Sequence, residues 1–456
     1  MDDQTMAHAT ARSEARGTAE ANRLWWTHPG LEAEGGRLTV AGRDAEALAR
    51  GHETPVYVYD LARIGEQIGA LQTALDRVNL PRRVRVALKA QHEPEVLAYI
   101  RRAFPPGTSH GVGLDVCSPG EIQRALDCGW PAEHISYTGT NVSERDLDVL
   151  LQHPIHVNLD SLSQLRRFVA RAPGRPIGLR LNPRVGVAHG LGAVSLYSGD
   201  KPTKFGIYPE QLAEAVGVAN EHGSPIVTVH AHVSRMILTE DLPHYENVIK
   251  RVAALAAQLQ GLGCPIEEVN VGGGLGVPTA AGEQPLDLDA VASLWKRFLA
   301  PLDVTVGCEN GEFFSRESGV LLSEVVSVED RDGVCFVGLD AGWNVFNLPF
   351  VYGQSHDVVL CRAVTDPLVR RVTIAGHINQ GQDLFTEDYP FPAVVEGDIV
   401  AILGAGAYGQ SSSLNTHCLR PHARAVFLED RLATDCVDGP TPGLSGVHLP
   451  GGSGPQ

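Results

Sequence analysis

From Val84 onward, short apolar runs rich in β-branched residues alternate with longer stretches whose apolar positions recur three and four apart. The short runs are Val84–Leu88, Val112–Val116, Ile135–Thr138, Ile155–Leu159, Ile177–Leu181, Val227–His230, Glu268–Val271 and Val304–Cys308. The helical pattern fills most of the gaps, at Glu93–Ala103, Gly120–Asp127, Ser143–Leu151, Ser161–Ala170, Pro209–Ala219, Tyr245–Leu262 and Leu286–Ala300. Period two or a short continuous apolar run marks a strand, and period 3.6 marks an amphipathic helix. Eight strands with helical crossovers predict an α/β fold containing a (β/α)8 TIM-type barrel, with an open parallel sheet as the alternative that counting leaves standing.

The pattern changes at both ends. A short segment, Arg37–Tyr59, precedes the alternation, and a Gly-punctuated β-rich region from Leu321 to about Glu429 follows it. The expected division is a flexible tail over 1–24, a segment over 25–57 that joins the β domain, a barrel over 58–304, a β-rich domain over 305–435 and a second flexible tail over 436–456. The first tail is polar and Ala-rich, and the last reads GPTPGLSGVHLPGGSGPQ.

Composition narrows the classes. The net charge of −17 argues against a nucleic-acid partner. The one dense basic run, Arg82, Arg83 and Arg85, reads as a solvated entrance to the first strand. The eight cysteines form no CxxC or close Cys/His cluster, so no structural metal is expected. No secretory leader precedes the chain's first strands and no apolar run approaches membrane length, which predicts a cytoplasmic protein with reduced thiols and no membrane partner.

Lysine is scarce, with only Lys89, Lys201, Lys204, Lys250 and Lys296. Lys89 closes the first apolar run, in VRVALKAQHEP. By itself it reads as a stem lying along apolar surface with its ammonium in water. The barrel changes that reading, because sites of such barrels lie at the C-terminal ends of the strands. Those ends carry Lys89, Asp115 with Ser118, Asn141, Asp160, Asn182, His230 with His232, Gly272–Gly274 and Glu309. An amine forms a Schiff base where a guanidinium cannot. Glycines bring backbone N–H groups close to a phosphate, a carboxylate keeps a pyridine nitrogen protonated, and a histidine can lie flat on a ring. Lysine, glycine loop, carboxylate and histidine on one rim are what pyridoxal 5'-phosphate requires.

The order of segments TPVYVYD, VALKA, GLDVCSPGE, SYTGTN, VNLDS, LRLNP, KFGI, VHAHV, NVGGGLG, GVLL, VGLDAGWN and GAGAYG resembles the fold type III pyridoxal-phosphate decarboxylases, near diaminopimelate and ornithine decarboxylase. The resemblance runs from about Thr54 to about Leu428. It implies a homodimer whose active sites combine one subunit's barrel with the partner's β domain. It makes Lys89 the Schiff-base lysine and His232 the ring-stacking histidine, gives Gly272, Gly273, Gly274 and Tyr408 to the phosphate, and sets Glu309 against the pyridine nitrogen.

The chain also departs from that pattern. Where the family has an EPGR-type motif the chain reads ENGE, so Glu312 replaces an arginine. HIGSQ becomes HVSRM, which puts Arg235 where a serine is expected and suggests it as the missing phosphate cation, with Arg316 as runner-up. CESGD becomes NQGQD, so Asn379 and Gln380 replace a thiol and a carboxylate that reach the substrate, and neither amide is a general acid. That leaves Lys89, His377, Tyr352 or water to return the proton. Leu348 stands where an arginine grips the distal carboxyl of diaminopimelate. The expected activity is therefore decarboxylation of an unusual amino acid or conjugate, such as a siderophore or other secondary-metabolite precursor, free or carrier-bound. A racemase or epimerase, or a catalytically silent cofactor-binding homologue, are the alternatives.

Overall fold

A computed structural model describes residues 23–190, 197–199 and 201–431. The two tails expected over 1–24 and 436–456 lie outside these residues, apart from Arg23 and Leu24.

Eight parallel strands close into a barrel: Arg82–Ala87, Val112–Val116, Ile135–Gly139, His156–Leu159, Ile177–Arg180, Ile226–His230, Glu268–Asn270 and Thr305–Asn310. The eighth strand pairs with the first from Val306↔Arg82 to Asn310↔Val86, so the sheet has no free edge. The fold is the expected α/β barrel with a β-rich domain. The boundary expected at 304/305 is corrected, because Thr305–Asn310 is the strand that closes the barrel.

The helices begin on side chains suited to cap them. Ser118, Ser143 and Ser161 each follow a strand, and each hydroxyl accepts the backbone N–H of the third residue on. Ser118 is thereby a structural residue of the rim. The long helix Leu61–Arg77, absent from the periodicity reading, packs against the helices Pro94–Ala103 and Leu288–Leu299 with Leu61, Ile64, Ile68, Leu71 and Leu75 buried.

The second domain is built from two parts of the chain. Its long strand Gly319–Arg331 pairs antiparallel with Val56–Asp60, and Arg424–Leu428 pairs with that same segment. The other strands are Val334–Leu339, Val358–Leu360, Arg370–Ala375, Leu384–Phe391 and Ile399–Ile402. The expected boundary at 57/58 therefore falls inside a strand. Val56–Asp60 belongs to the β-rich sheet, and the chain enters the barrel layer at Leu61.

The barrel interior is polar at one level. Arg85 is buried, not solvated as the basic run suggested, and binds Glu268 through Nη1–Oε1 at 2.5 Å and Nη2–Oε2 at 3.0 Å. Arg83 adds a contact to Glu268 at 2.8 Å. Burial opposes the Glu268 charge, but the two guanidiniums outweigh it and hold the carboxyl at about 2. Gly307 leaves room for this pair, since a β-carbon there would lie 2.3 Å from Glu268 Oε1.

Candidate active site

Lys89 sits two residues beyond the first barrel strand and turns inward. Its Nζ lies 3.0 Å from Asp115 Oδ2 on the second strand. The lysine side chain is 34% exposed and the aspartate 1%, so the ammonium meets a buried carboxylate at the barrel mouth instead of reaching outward. Burial opposes the Lys89 charge, yet Asp115, Tyr408 and Glu309 outweigh it and hold the ammonium well above its usual range. Burial and the nearby Glu309 push Asp115 up to about 7 against the pull of Lys89.

Glu309 lies within the eighth strand, 3% exposed. Its Oε1 is 2.8 Å from His230 Nε2, and its Oε2 accepts from Asn270 Nδ2 at 3.0 Å. Burial opposes its charge, but His230 and Lys89 keep the carboxyl well below the usual carboxylate range. His232, two residues past His230, accepts from the Gly273 N–H at Nδ1, 3.0 Å away. Burial and Lys89 lower it to about 3, so its ring is neutral at pH 7. The Tyr197 ring meets it edge-on at 5.0 Å.

The glycine loop follows the seventh strand, and its first role is close backbone packing. A β-carbon at Gly272 would lie 2.6 Å from Ala231 O, at Gly273 2.4 Å from Glu309 O, and at Gly274 2.4 Å from Ser234 O. Gly272 and Gly274 also have φ of 75° and 102°. The Gly272 N–H donates to Asn270 Oδ1 and the Gly273 N–H to His232. Of the three, only the Gly274 N–H has no hydrogen-bond partner among the described residues.

Tyr408 reaches the same mouth from the β-rich domain. It takes a φ of 58°, and its N–H donates to Ala90 O at 2.7 Å. Burial raises its phenol well above the usual range, with Lys89 opposing. Arg235 forms no ion pair among the described residues and faces the Tyr352 ring at 5.9 Å. Arg316 is different. It is buried, and its guanidinium is already engaged by Glu312 at 3.4 Å, Gln354 at 3.3 Å and His356 at 3.4 Å. The runner-up cation is therefore occupied by its own chain.

Asn379 and Gln380 are not brought to this rim. Both are exposed, on the loop between Arg370–Ala375 and Leu384–Phe391. The buried Asp383 carboxylate organises that loop by accepting the N–H groups of Trp343 at 2.8 Å and Ile378 at 2.6 Å. His377 is half-buried with Nε2 against Asn344 Oδ1 at 3.0 Å. Asp160 pairs with Arg180 at 3.2 Å, and Asn182 ties down the segment carrying Thr203 and Phe205, so both support the rim. A cavity of about 320 Å³ lies elsewhere, lined by Trp25, Trp26, Tyr389 and Phe391, and holds none of these residues.

Among the described residues, four buried polar atoms near this rim have no hydrogen-bond partner: Asp115 Oδ1, His230 Nδ1, Ser234 Oγ and Asn310 Nδ2. Buried polar atoms are normally paired. A polar group seated at the mouth fits Asp115 Oδ1, the Gly274 N–H and the Lys89 amine.

The pyridoxal-binding domain model of the pyridoxal-dependent decarboxylases matches residues 61–316. The chain belongs to this family. The pyridoxal-dependent decarboxylases most similar to it include the diaminopimelate decarboxylase of Methanothermobacter thermautotrophicus, 32% identical over 404 residues that cover 87% of this chain and 91% of the relative. The Streptomyces coelicolor diaminopimelate decarboxylase is 31% identical over 424 residues, covering 88% and 91%. Among solved structures, Helicobacter pylori diaminopimelate decarboxylase complexed with L-lysine superposes with a TM-score of 0.75 at 27% identity, covering 84% of this chain and 94% of that one. The M. jannaschii diaminopimelate decarboxylase in complex with L-lysine gives 0.77 at 25% identity, covering 88% and 92%. The chain is thus a pyridoxal-phosphate-dependent amino-acid carboxy-lyase. Among the described residues no helix is long and apolar enough to cross a membrane.

The readings from sequence missed His230 and Asn270 as partners of Glu309. The HxH spacing in VHAHV was the available signal, since alternate residues of a strand face the same side.

Proposed function

We propose that this decarboxylase acts on an amino acid, free or carrier-bound, whose distal end carries no carboxylate, such as an unusual secondary-metabolite precursor. The observation that supports the proposal is a pair of departures from the family pattern, at Leu348 and Glu312. Leu348, in the place of the carboxyl-gripping arginine, is 1% exposed and apolar. Glu312, in the place of another arginine, brings a negative charge paired to Arg316. Neither position supplies the cation that an anionic distal group would need as its partner.

Bound pyridoxal phosphate supplies an electrophilic carbon and a ring that withdraws the electrons left when CO2 departs. In this reading Lys89 would hold the cofactor through its amine. Asp115, 3.0 Å from Lys89 Nζ, would orient the amine and stabilise its charged form. Glu309, kept ionised by its barrel partners, would face the ring nitrogen, and neutral His232 would cover the ring face. The Gly274 N–H, Tyr408 and Arg235 would hold the phosphate, with Gly272 and Gly273 shaping the loop. Asn379 and Gln380 reach the substrate of a partner subunit in a homodimer, which their exposure on one chain permits.

The test is CO2 release across a panel of diaminopimelate, lysine, ornithine and larger neutral or conjugated amino acids, with product masses. The proposal expects release from a substrate lacking a distal carboxylate. Diaminopimelate as the best substrate, which the relatives' names favour, would overturn it. Exchange of the α-hydrogen without CO2 would point to a racemase instead.

A further inference from the structure

Glu309 is gripped from two neighbouring strands, and the grip has one polarity. His230, Asn270 and Gly307 stand at one level on the sixth, seventh and eighth strands, by the registers His230↔Asn270 and Asn270↔Gly307. Glu309 follows two residues later, so its side chain shares the inward face. The Asn270 amide is oriented unambiguously. Its Oδ1 accepts the Gly272 N–H at 2.8 Å, which leaves Nδ2 to donate to Glu309 Oε2 at 3.0 Å. His230 is 1% exposed, and its Nδ1 has no hydrogen-bond partner among the described residues. The one hydrogen bond of its ring among the described residues is the 2.8 Å contact from Nε2 to Glu309 Oε1. A proton on Nε2 leaves Nδ1 as a bare lone pair, whereas a proton on Nδ1 would bury an unpaired N–H and leave Nε2 facing the carboxylate lone pair to lone pair.

We propose that His230 is a positioning residue: with Asn270 it fixes the plane of the Glu309 carboxylate, so that the lone pairs left free point to the ring nitrogen of the cofactor. This rests on the reading that Glu309 faces that nitrogen. Two donors, one on each oxygen, stop rotation about the terminal Glu309 torsion, which is otherwise broad. They also keep the carboxylate ionised in a dry site, where one undonated oxygen would favour the neutral acid. An imidazole whose single hydrogen bond goes to this carboxylate has no other polar task in the barrel.

The test uses the holoenzyme and three variants, His230→Phe, His230→Gln and Glu309→Ala. The readouts are the visible absorbance of the bound cofactor, kcat and KM for CO2 release, and the melting temperature. His230→Phe should lower kcat by about 10- to 100-fold with KM nearly unchanged, the loss expected for one hydrogen bond to a charged group acting after binding. It should move the cofactor band in the same direction as Glu309→Ala, and by less. His230→Gln, whose amide can donate to Glu309, should recover most of kcat and return the band. If His230→Phe does not fold, His230→Ala takes its place with the same readouts. An unmoved band with kcat within about twofold of the parent would overturn the proposal. So would a His230→Gln protein as impaired as His230→Phe with an equally lowered melting temperature, which would mark a packing role. A Glu309→Ala band identical to the parent's would instead remove the underlying reading of Glu309.

Discussion

Gly273 leaves no space for a β-carbon, which would stand 2.4 Å from the Glu309 carbonyl oxygen on the eighth strand. Gly273→Ala must push two barrel strands apart at the level of the site. The expected cost is about 1–3 kcal/mol of stability, read from denaturant melts, together with weaker cofactor binding. At this scale the identities of the rim residues were legible in the sequence, because each closes a strand whose apolar pattern is clear. Their contacts were not. Lys89 and Asp115 are separated by a full βα unit, and nothing local says that the lysine turns toward a buried acid. The glycines were read as a phosphate cradle. The structure gives them first to backbone packing, with two of the three N–H groups already engaged within the chain.

Among the elements, the loops above the barrel are tied by His189. Its Nδ1 meets Asp241 Oδ2 at 2.8 Å and its Nε2 meets Glu283 Oε1 at 3.0 Å, joining the loops after the fifth, sixth and seventh strands. The His189 backbone N–H also donates to Arg235 O. Hydrogen bonds from Asp241 and Glu283 raise His189 to about 9, above its ordinary 6.5. A raised histidine stabilises fully below its unfolded value and loses that contribution as pH rises through the folded value. Glu283, held at about 2 by His189 and Thr279 although burial opposes its charge, contributes above its ordinary 4.5 and loses this as pH falls toward 2. Melting temperatures of the parent and His189→Gln should therefore differ most at about pH 5–6 and converge by about a couple of degrees between pH 6.5 and 9. Parallel curves across that window would refute the clamp.

The polar layer in the barrel makes a second prediction at this scale. Glu268→Gln leaves the Arg85 guanidinium buried without its counter-ion and should cost about 3–5 kcal/mol in a denaturant melt. Strand and helix positions were readable here because period two, period 3.6 and the Ser caps agree. The inward turn of Arg85 was not, since alternation says which residues share a face but not which face is interior, and Glu268 lies far along the chain.

At the level of the molecule, the β-rich domain is closed by Val56–Asp60, a strand delivered before the barrel begins. A linear reading of composition cannot see such a return, so it placed one boundary inside that strand and another before the strand that closes the barrel. The helix Leu61–Arg77 was passed over for the same reason, lying where two domains exchange the chain. The proposed sharing of sites between subunits has a direct check. Lys89→Ala and the double variant Asn379→Ala, Gln380→Ala should each have low activity, and mixing them through dissociation and reassembly should restore part of it. No recovery would mean that each site is complete in one chain.

The whole account turns on which of the five lysines holds the cofactor. Borohydride reduction of the holoenzyme, followed by proteolysis and mass spectrometry, places the pyridoxyl group on one peptide. It should be found on Lys89. Its location on Lys201, Lys204, Lys250 or Lys296, or its absence from every peptide, would contradict the site described above.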